Sequence, residues 1–136
     1  MRDHQHVVLC ENDAVLAGVL SDLFSSEGFD LTTCTSLAEI TAALERDPSA
    51  VVVTDSWLGR PAGLLGIDTA GLQQVAAHTT VVLTTAWTGA GHRAALEALR
   101  LGDAVRVVPK PYDLDDLLDA VRSAVAAHRR RMAAGG

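Results

Sequence analysis

Five short apolar runs, each followed by a longer stretch of helical character, leave this chain very few architectures. The runs are "HVVLC" (6–10), "FDLTTC" (29–34), "AVVVT" (50–54), "TVVLT" (80–84) and "AVRVV" (104–108). Three are continuous Val/Leu segments without polar alternation, the pattern of strands buried on both faces of a parallel sheet. Between them apolar residues recur at 3.6-residue spacing. In 14–26, Val15, Leu16, Val19, Leu20, Leu23 and Phe24 are expected on one stripe, with Asp13 as the cap. In 36–46, Ser36 caps a helix buried through Leu37, Ile40 and Leu44, and Pro48 ends it. A third pattern covers 113–131 through Leu114, Leu117, Leu118, Val121 and Val125, and an Ala-rich segment over 90–101 closes at Gly102. Gly59, Gly63, Gly66 and Gly71 predict a loop before a short helix near 70–77, since each glycine inside a helix costs roughly 1 kcal/mol. The expected fold is α/β: a (βα)5 doubly wound, five-stranded parallel sheet.

With 136 residues the chain is expected to form one domain, its core within about 5–128 and a tail or linker start over 129–136. Only two Phe, two Trp and one Tyr are present, so Val, Leu and Ala must fill the core. A formal charge of −6 argues against binding a nucleic-acid backbone. No apolar run reaches the length of a membrane span, and the N-terminus lacks signal-peptide features. Cys10 and Cys34 are too few for a disulfide framework and read as buried free thiols, so a cytoplasmic location is expected.

Ligands of open parallel sheets bind beyond the carboxyl ends of the strands. There the sequence sets Glu11, Asn12 and Asp13 after the first run, and Asp55 after the third. Thr84 and Thr85 follow the fourth, and Lys110-Pro111 follows the fifth. Carboxylates, hydroxyl and ammonium from four loops suit a carboxylate nucleophile, a hard divalent cation and the oxygens of a phosphoryl group. An aspartate after a strand is commonly a helix cap or turn former; the company of Glu11, Thr85 and Lys110 singles out Asp55.

In these positions the chain resembles the receiver domain of two-component response regulators, over essentially residues 5 to 128, which implies a flavodoxin-like sheet in the strand order 2-1-3-4-5. That family has an acidic pair after the first strand and a phosphoacceptor aspartate ending the third. It has a Thr/Ser-Ala step after the fourth strand and Lys-Pro after the fifth. The matching residues are Glu11-Asn12, Asp55, Thr85-Ala86 and Lys110-Pro111. The resemblance implies that Asp55 takes a phosphoryl group from a sensor histidine kinase or histidine phosphotransfer protein. Mg2+ (or Mn2+) would be held by Asp55, the Asn12 side chain and the Trp57 carbonyl, with Glu11 acting through water. It further implies that Lys110 and Thr85 bind the phosphoryl group, with Ala86 moving in the same switch, and that a cis bond precedes Pro111.

Four positions stand out against the family pattern. Asn12 stands where an aspartate is usual, so the metal site loses a charge and cation affinity is expected to fall. Val107 stands where a Tyr or Phe often reports phosphorylation. Trp57 and Trp87, two residues after Asp55 and Thr85, flank the expected phosphoryl group and would slow its hydrolysis by excluding water.

The rest of the sequence carries weaker signals. The five histidines show no metal-ligand spacing and read as surface residues. "HRRR" (128–131) reads either as a nucleic-acid patch or as a complement to a helix dipole. The face made by the fourth helix, fifth strand and last helix is where such domains commonly dock. Arg93, Glu97, Arg100, Asp103, Arg106, Asp116 and Asp119 give it the mixed charge of a downstream-partner or homodimer surface. No independent enzymatic turnover is expected. The alternative to a phosphoacceptor is a degenerate receiver that binds partners without phosphorylation. A phosphatase or flavin protein of similar layout lacks its expected D-x-D pair or Ser/Thr-Gly loop after the first strand.

Overall fold

A computed structural model describes residues 4–11, 13–55, 69–86 and 100–135. Five parallel strands form one sheet: β1 (His6–Cys10), β2 (Asp30–Thr33), β3 (Val51–Asp55), β4 (Val81–Ala86) and β5 (Val105–Lys110). Their order is β2-β1-β3-β4-β5, the expected doubly wound arrangement. The order reverses between β1 and β3, so the carboxyl ends of these two strands flank the crevice typical of such sheets. The described helices are α1 (Ala14–Ser26), α2 (Leu37–Arg46), α3 (Thr69–Ala76) and the C-terminal helix (Leu114–Gly135). Residues 90–99 of the segment expected to be helical, and 59–68 of the segment expected to be a glycine-rich loop, lie outside the described residues, while Arg100 and Leu101 form a turn.

Strand alternation divides the core in two. Val8, Cys10, Val52, Val81, Leu83 and Val105 pack with Ile40, Leu44, Leu72 and Val75 on one face. Val7, Leu9, Val51, Val53, Val82 and Val108 pack with Leu20, Phe24, Leu117, Val121 and Val125 on the other. Each wholly buried valine of β3 contributes on the order of 2 kcal/mol. With every residue of β3 buried, any polar group at its end needs a partner from another strand.

Several expectations change. Val15 is 79% exposed and Val19 43%, so α1 packs through Leu16, Leu20, Leu23 and Phe24 only. At 100° per residue, positions 15 and 19 sit beside that stripe rather than in it. His128 is buried, not at the surface, and its Nε2 lies 2.8 Å from the Pro48 carbonyl. His6 is half-buried between Thr32 Oγ1 (2.6 Å) and Asp47 Oδ2 (3.1 Å). Burial alone would raise the Asp47 carboxyl, but bonds from Ser49 and His6 hold it below the usual range. The C-terminal helix continues to Gly135. From it Arg131 donates to the carbonyls of Ala76 (2.9 Å) and Thr79 (3.0 Å), at the end of α3 and just beyond it. Part of "HRRR" therefore serves the C-terminal carbonyls of a different helix. Arg129 bonds Gln5 at 3.3 Å.

Candidate functional site

The site is a consequence of strand parity. Residues 7, 9 and 11, residues 51, 53 and 55, and residues 106, 108 and 110 alternate onto the same side of the sheet. Glu11, Asp55 and Lys110 thus rise from the carboxyl ends of β1, β3 and β5 on one side. β5 lies two strand spacings from β3, roughly 9–10 Å, and the long lysine side chain bridges that gap. Lys110 Nζ reaches Asp55 Oδ2 at 2.7 Å and Glu11 Oε1 at 3.6 Å. The ends of the strands also differ slightly from the sequence reading: Asp55 and Lys110 are the last residues of β3 and β5, and β4 extends through Thr85 and Ala86.

Both acid side chains are 2% exposed and Lys110 is 25% exposed, so two nearly desolvated carboxylates share one ammonium. Burial raises the Glu11 carboxyl above its ordinary value. The neighbouring Asp55 carboxylate adds to this, while the Asp13 N–H and Lys110 oppose it. That N–H donates to Glu11 Oε2 at 3.0 Å, and the Asp13 side chain accepts from Val15 and Leu16 as the cap of α1. The start of α1 therefore anchors the acid loop. An uncompensated buried carboxylate is expensive, and the residual negative charge with an all-oxygen donor set fits a hard divalent cation. Among the described residues no three His, Cys, Asp or Glu side chains could hold an ion by themselves.

The remaining candidates are placed as follows. Thr85 pairs with Pro109 and Ala86 with Lys110 in the β4–β5 ladder, beside the acid pocket. Thr84 stands opposite Asp55 on β4, and its hydroxyl donates to the Thr54 carbonyl at 3.5 Å. The Lys110–Pro111 peptide is cis. Val107 is half-buried against the α2–α3 face of the core and lines a groove of about 500 Å3 with Pro111, Tyr112 and Asp116. Asn12, Trp57 and Trp87 lie outside the described residues. Cys10 and Cys34 are buried free thiols, and burial raises both, with each other's proximity adding to Cys10.

Sequence reasoning passed over Tyr112. Its hydroxyl is buried without a partner among the described residues, and burial followed by the Glu11 and Asp55 carboxylates pushes it up to about 12. Its position two residues past Lys110 was the available signal.

A doubly wound parallel sheet with a buried acid pair and a lysine at its strand ends defines a class of α/β domains whose site lies beyond the carboxyl ends of the strands. Residues 7–122 match the family described as the response regulator receiver domain, and the chain belongs to that family, a signalling module of two-component systems. Among solved structures it is similar to an adenylate cyclase chain from Rhodopirellula baltica, with a TM-score of 0.77 and 24% identity over 98% of this chain and 96% of that one. It is similar to the signal receiver domain of a LuxO repressor protein from Vibrio parahaemolyticus, with a TM-score of 0.75 and 20% identity over 98% and 99%. The receiver domain of a sensor histidine kinase from Pseudomonas aeruginosa, with magnesium coordinated in its active-site cleft, gives a TM-score of 0.69 and 19% identity over 91% and 99%. At these identities the likeness speaks to the fold. No curated protein matches the chain at a significant level. Among the described residues no helix is long and apolar enough to cross a membrane.

Proposed function

We propose that this receiver domain accepts a phosphoryl group on Asp55. The observation that carries the reading is the buried Asp55 carboxylate at the end of the central strand, with Lys110 Nζ at 2.7 Å and Glu11 beside it. A carboxylate oxygen of Asp55 attacks the phosphorus of a phosphohistidine. The O–P bond forms as the N–P bond breaks, and the leaving imidazole nitrogen takes up a proton. Lys110 orients the nucleophile before transfer and neutralises phosphoryl oxygens afterwards, while the Thr85 hydroxyl donates to another of those oxygens. Positioning and charge neutralisation supply most of the rate.

Glu11, Asp55, the Asn12 side chain and the Trp57 carbonyl would hold Mg2+ or Mn2+, which would neutralise charge on the phosphoryl oxygens. The excess charge of the Glu11–Asp55–Lys110 cluster supports that donor set. Asn12 leaves the site one charge short and lowers cation affinity. Val107 is too small to sweep the volume of an aromatic switch, so the output falls to Thr85, Ala86 and the residues after them. The donor is a sensor histidine kinase or phosphotransfer protein, these residues form a single receiver domain, and the location is cytoplasmic. The output is a changed fit to a downstream protein or a second copy through the face of β5 and the C-terminal helix, and the domain has no independent turnover.

Intact mass after incubation with a small phosphodonor tests the reading. One phosphoryl adduct is expected on wild type, requiring both Mg2+ and Asp55 and absent from Asp55→Ala. No adduct at any Mg2+ concentration would instead support a phosphorylation-independent interaction module, the reading that Asn12 favours. Followed over time, the same assay should show a Trp57→Ala, Trp87→Ala variant losing its phosphoryl group faster than wild type; an unchanged half-life would remove the shielding role.

A further inference from the structure

Tyr112 is the chain's one tyrosine, and its ring packs against the core face shared by α1 and the C-terminal helix. The hydroxyl oxygen is buried and makes no hydrogen bond among the described residues. A phenylalanine would fill the same space without leaving a polar group unpaired, so the hydroxyl is a net liability for folding alone. Tyr112 follows the carboxyl end of β5 by two residues and packs on the side of the sheet from which Glu11, Asp55 and Lys110 rise; burial, then Glu11, then Asp55, push its hydroxyl up to about 12, so it remains an O–H donor at neutral pH. At rest both carboxylates lean on Lys110, at 2.7 and 3.6 Å. A phosphoryl group on Asp55 competes for that ammonium and leaves Glu11 with less positive charge beside it. A neutral hydroxyl is suited to make up the difference, because it adds a donor without adding charge.

We infer that the Tyr112 hydroxyl is a positioning donor held in reserve for the acid pocket, without a partner among the described residues at rest and bonded to an acceptor oxygen on the Glu11 side once the pocket is loaded. The inference rests on the reading of Asp55 as the phosphoacceptor. It makes Tyr112 a residue that acts through Glu11 rather than on the phosphorus.

The single tyrosine permits a direct test. Protein labelled with 13C at the tyrosine Cζ gives one resonance, and beryllofluoride with Mg2+ serves as the phosphoryl mimic. The resonance should move on loading in wild type and stay fixed in Asp55→Ala. Tyr112→Phe should melt at the same temperature as unloaded wild type or higher, yet bind beryllofluoride about tenfold more weakly, the loss expected for one charge-assisted hydrogen bond. A lower melting temperature for unloaded Tyr112→Phe would mean that the hydroxyl is already satisfied at rest, and would overturn the inference. Bound beryllofluoride seen by 19F NMR, with an unmoved tyrosine line and unchanged Tyr112→Phe affinity, would also overturn it while leaving Asp55 as phosphoacceptor. Absence of bound beryllofluoride in wild type would overturn both.

Discussion

Glu11 and Asp55 set two carboxylates against one ammonium in a nearly water-free corner, and this has a measurable cost. The Glu11 carboxyl is raised, by burial first and by Asp55 among the lesser causes, so the folded protein holds its proton more tightly than the unfolded chain does. The sign follows from linkage: where the native state binds more protons, stability falls as pH rises. Glu11 thus lowers stability at neutral pH, and that loss is recovered as pH falls toward the ordinary glutamate value of 4.5. Glu11→Gln should stabilise the domain at pH 7 by about 1 kcal/mol, the size typical when a functional compromise is relieved. It should also remove this acid-side gain, which melting curves of both proteins between pH 7 and pH 5 would check. Equal pH profiles would mean that the repulsion has no energetic weight.

Helix α1 is the element that connects local sequence to the site. Asp13 caps it through side-chain bonds from the Val15 and Leu16 N–H groups at 3.0 and 3.1 Å, while its own N–H holds Glu11. Asp13→Ala removes the cap and keeps the backbone donor, so it should cost about 1 kcal/mol in chemical denaturation and leave the acid loop able to bind Mg2+. A variant that loses Mg2+ affinity more than stability would show that the cap also orients the loop. This cap was legible in the sequence because capping is a short-range matter. So were Ser36, whose hydroxyl accepts the Glu39 N–H at 3.2 Å, and the strand runs of β1, β3 and β4. The exposure of Val15 and Val19 was not legible. Apolar residues beside a helical stripe look like part of it until the neighbouring elements define its width.

At the scale of the whole molecule, the C-terminal helix closes the end of the sheet opposite the acid pocket. Arg131 gives hydrogen bonds to Ala76 O, Thr79 O and Thr80 Oγ1, the last at 3.4 Å, and His128 reaches Pro48 O. Thr79 in turn donates to Ala50 O at 2.5 Å, linking the chain before β4 to the start of β3. Arg131→Ala should destabilise the domain by about 1–3 kcal/mol. The urea midpoint should fall without a change in slope, because the same surface is exposed on unfolding. An unchanged midpoint would return the last turns of the helix to the status of a tail.

By itself the sequence determined the five strands, their parallel sheet and the concentration of acid and lysine at strand ends. Hydrophobic period, helix caps and strand parity act over a few residues and leave their mark in order along the chain. Only the tertiary structure decided that Lys110 reaches Asp55 and Glu11 at once, that Arg131 serves α3, and that the Tyr112 hydroxyl is buried without a partner among the described residues. These depend on distances between residues far apart in the chain, and on what each buried polar group is left facing once the core has closed. No local pattern encodes either of those.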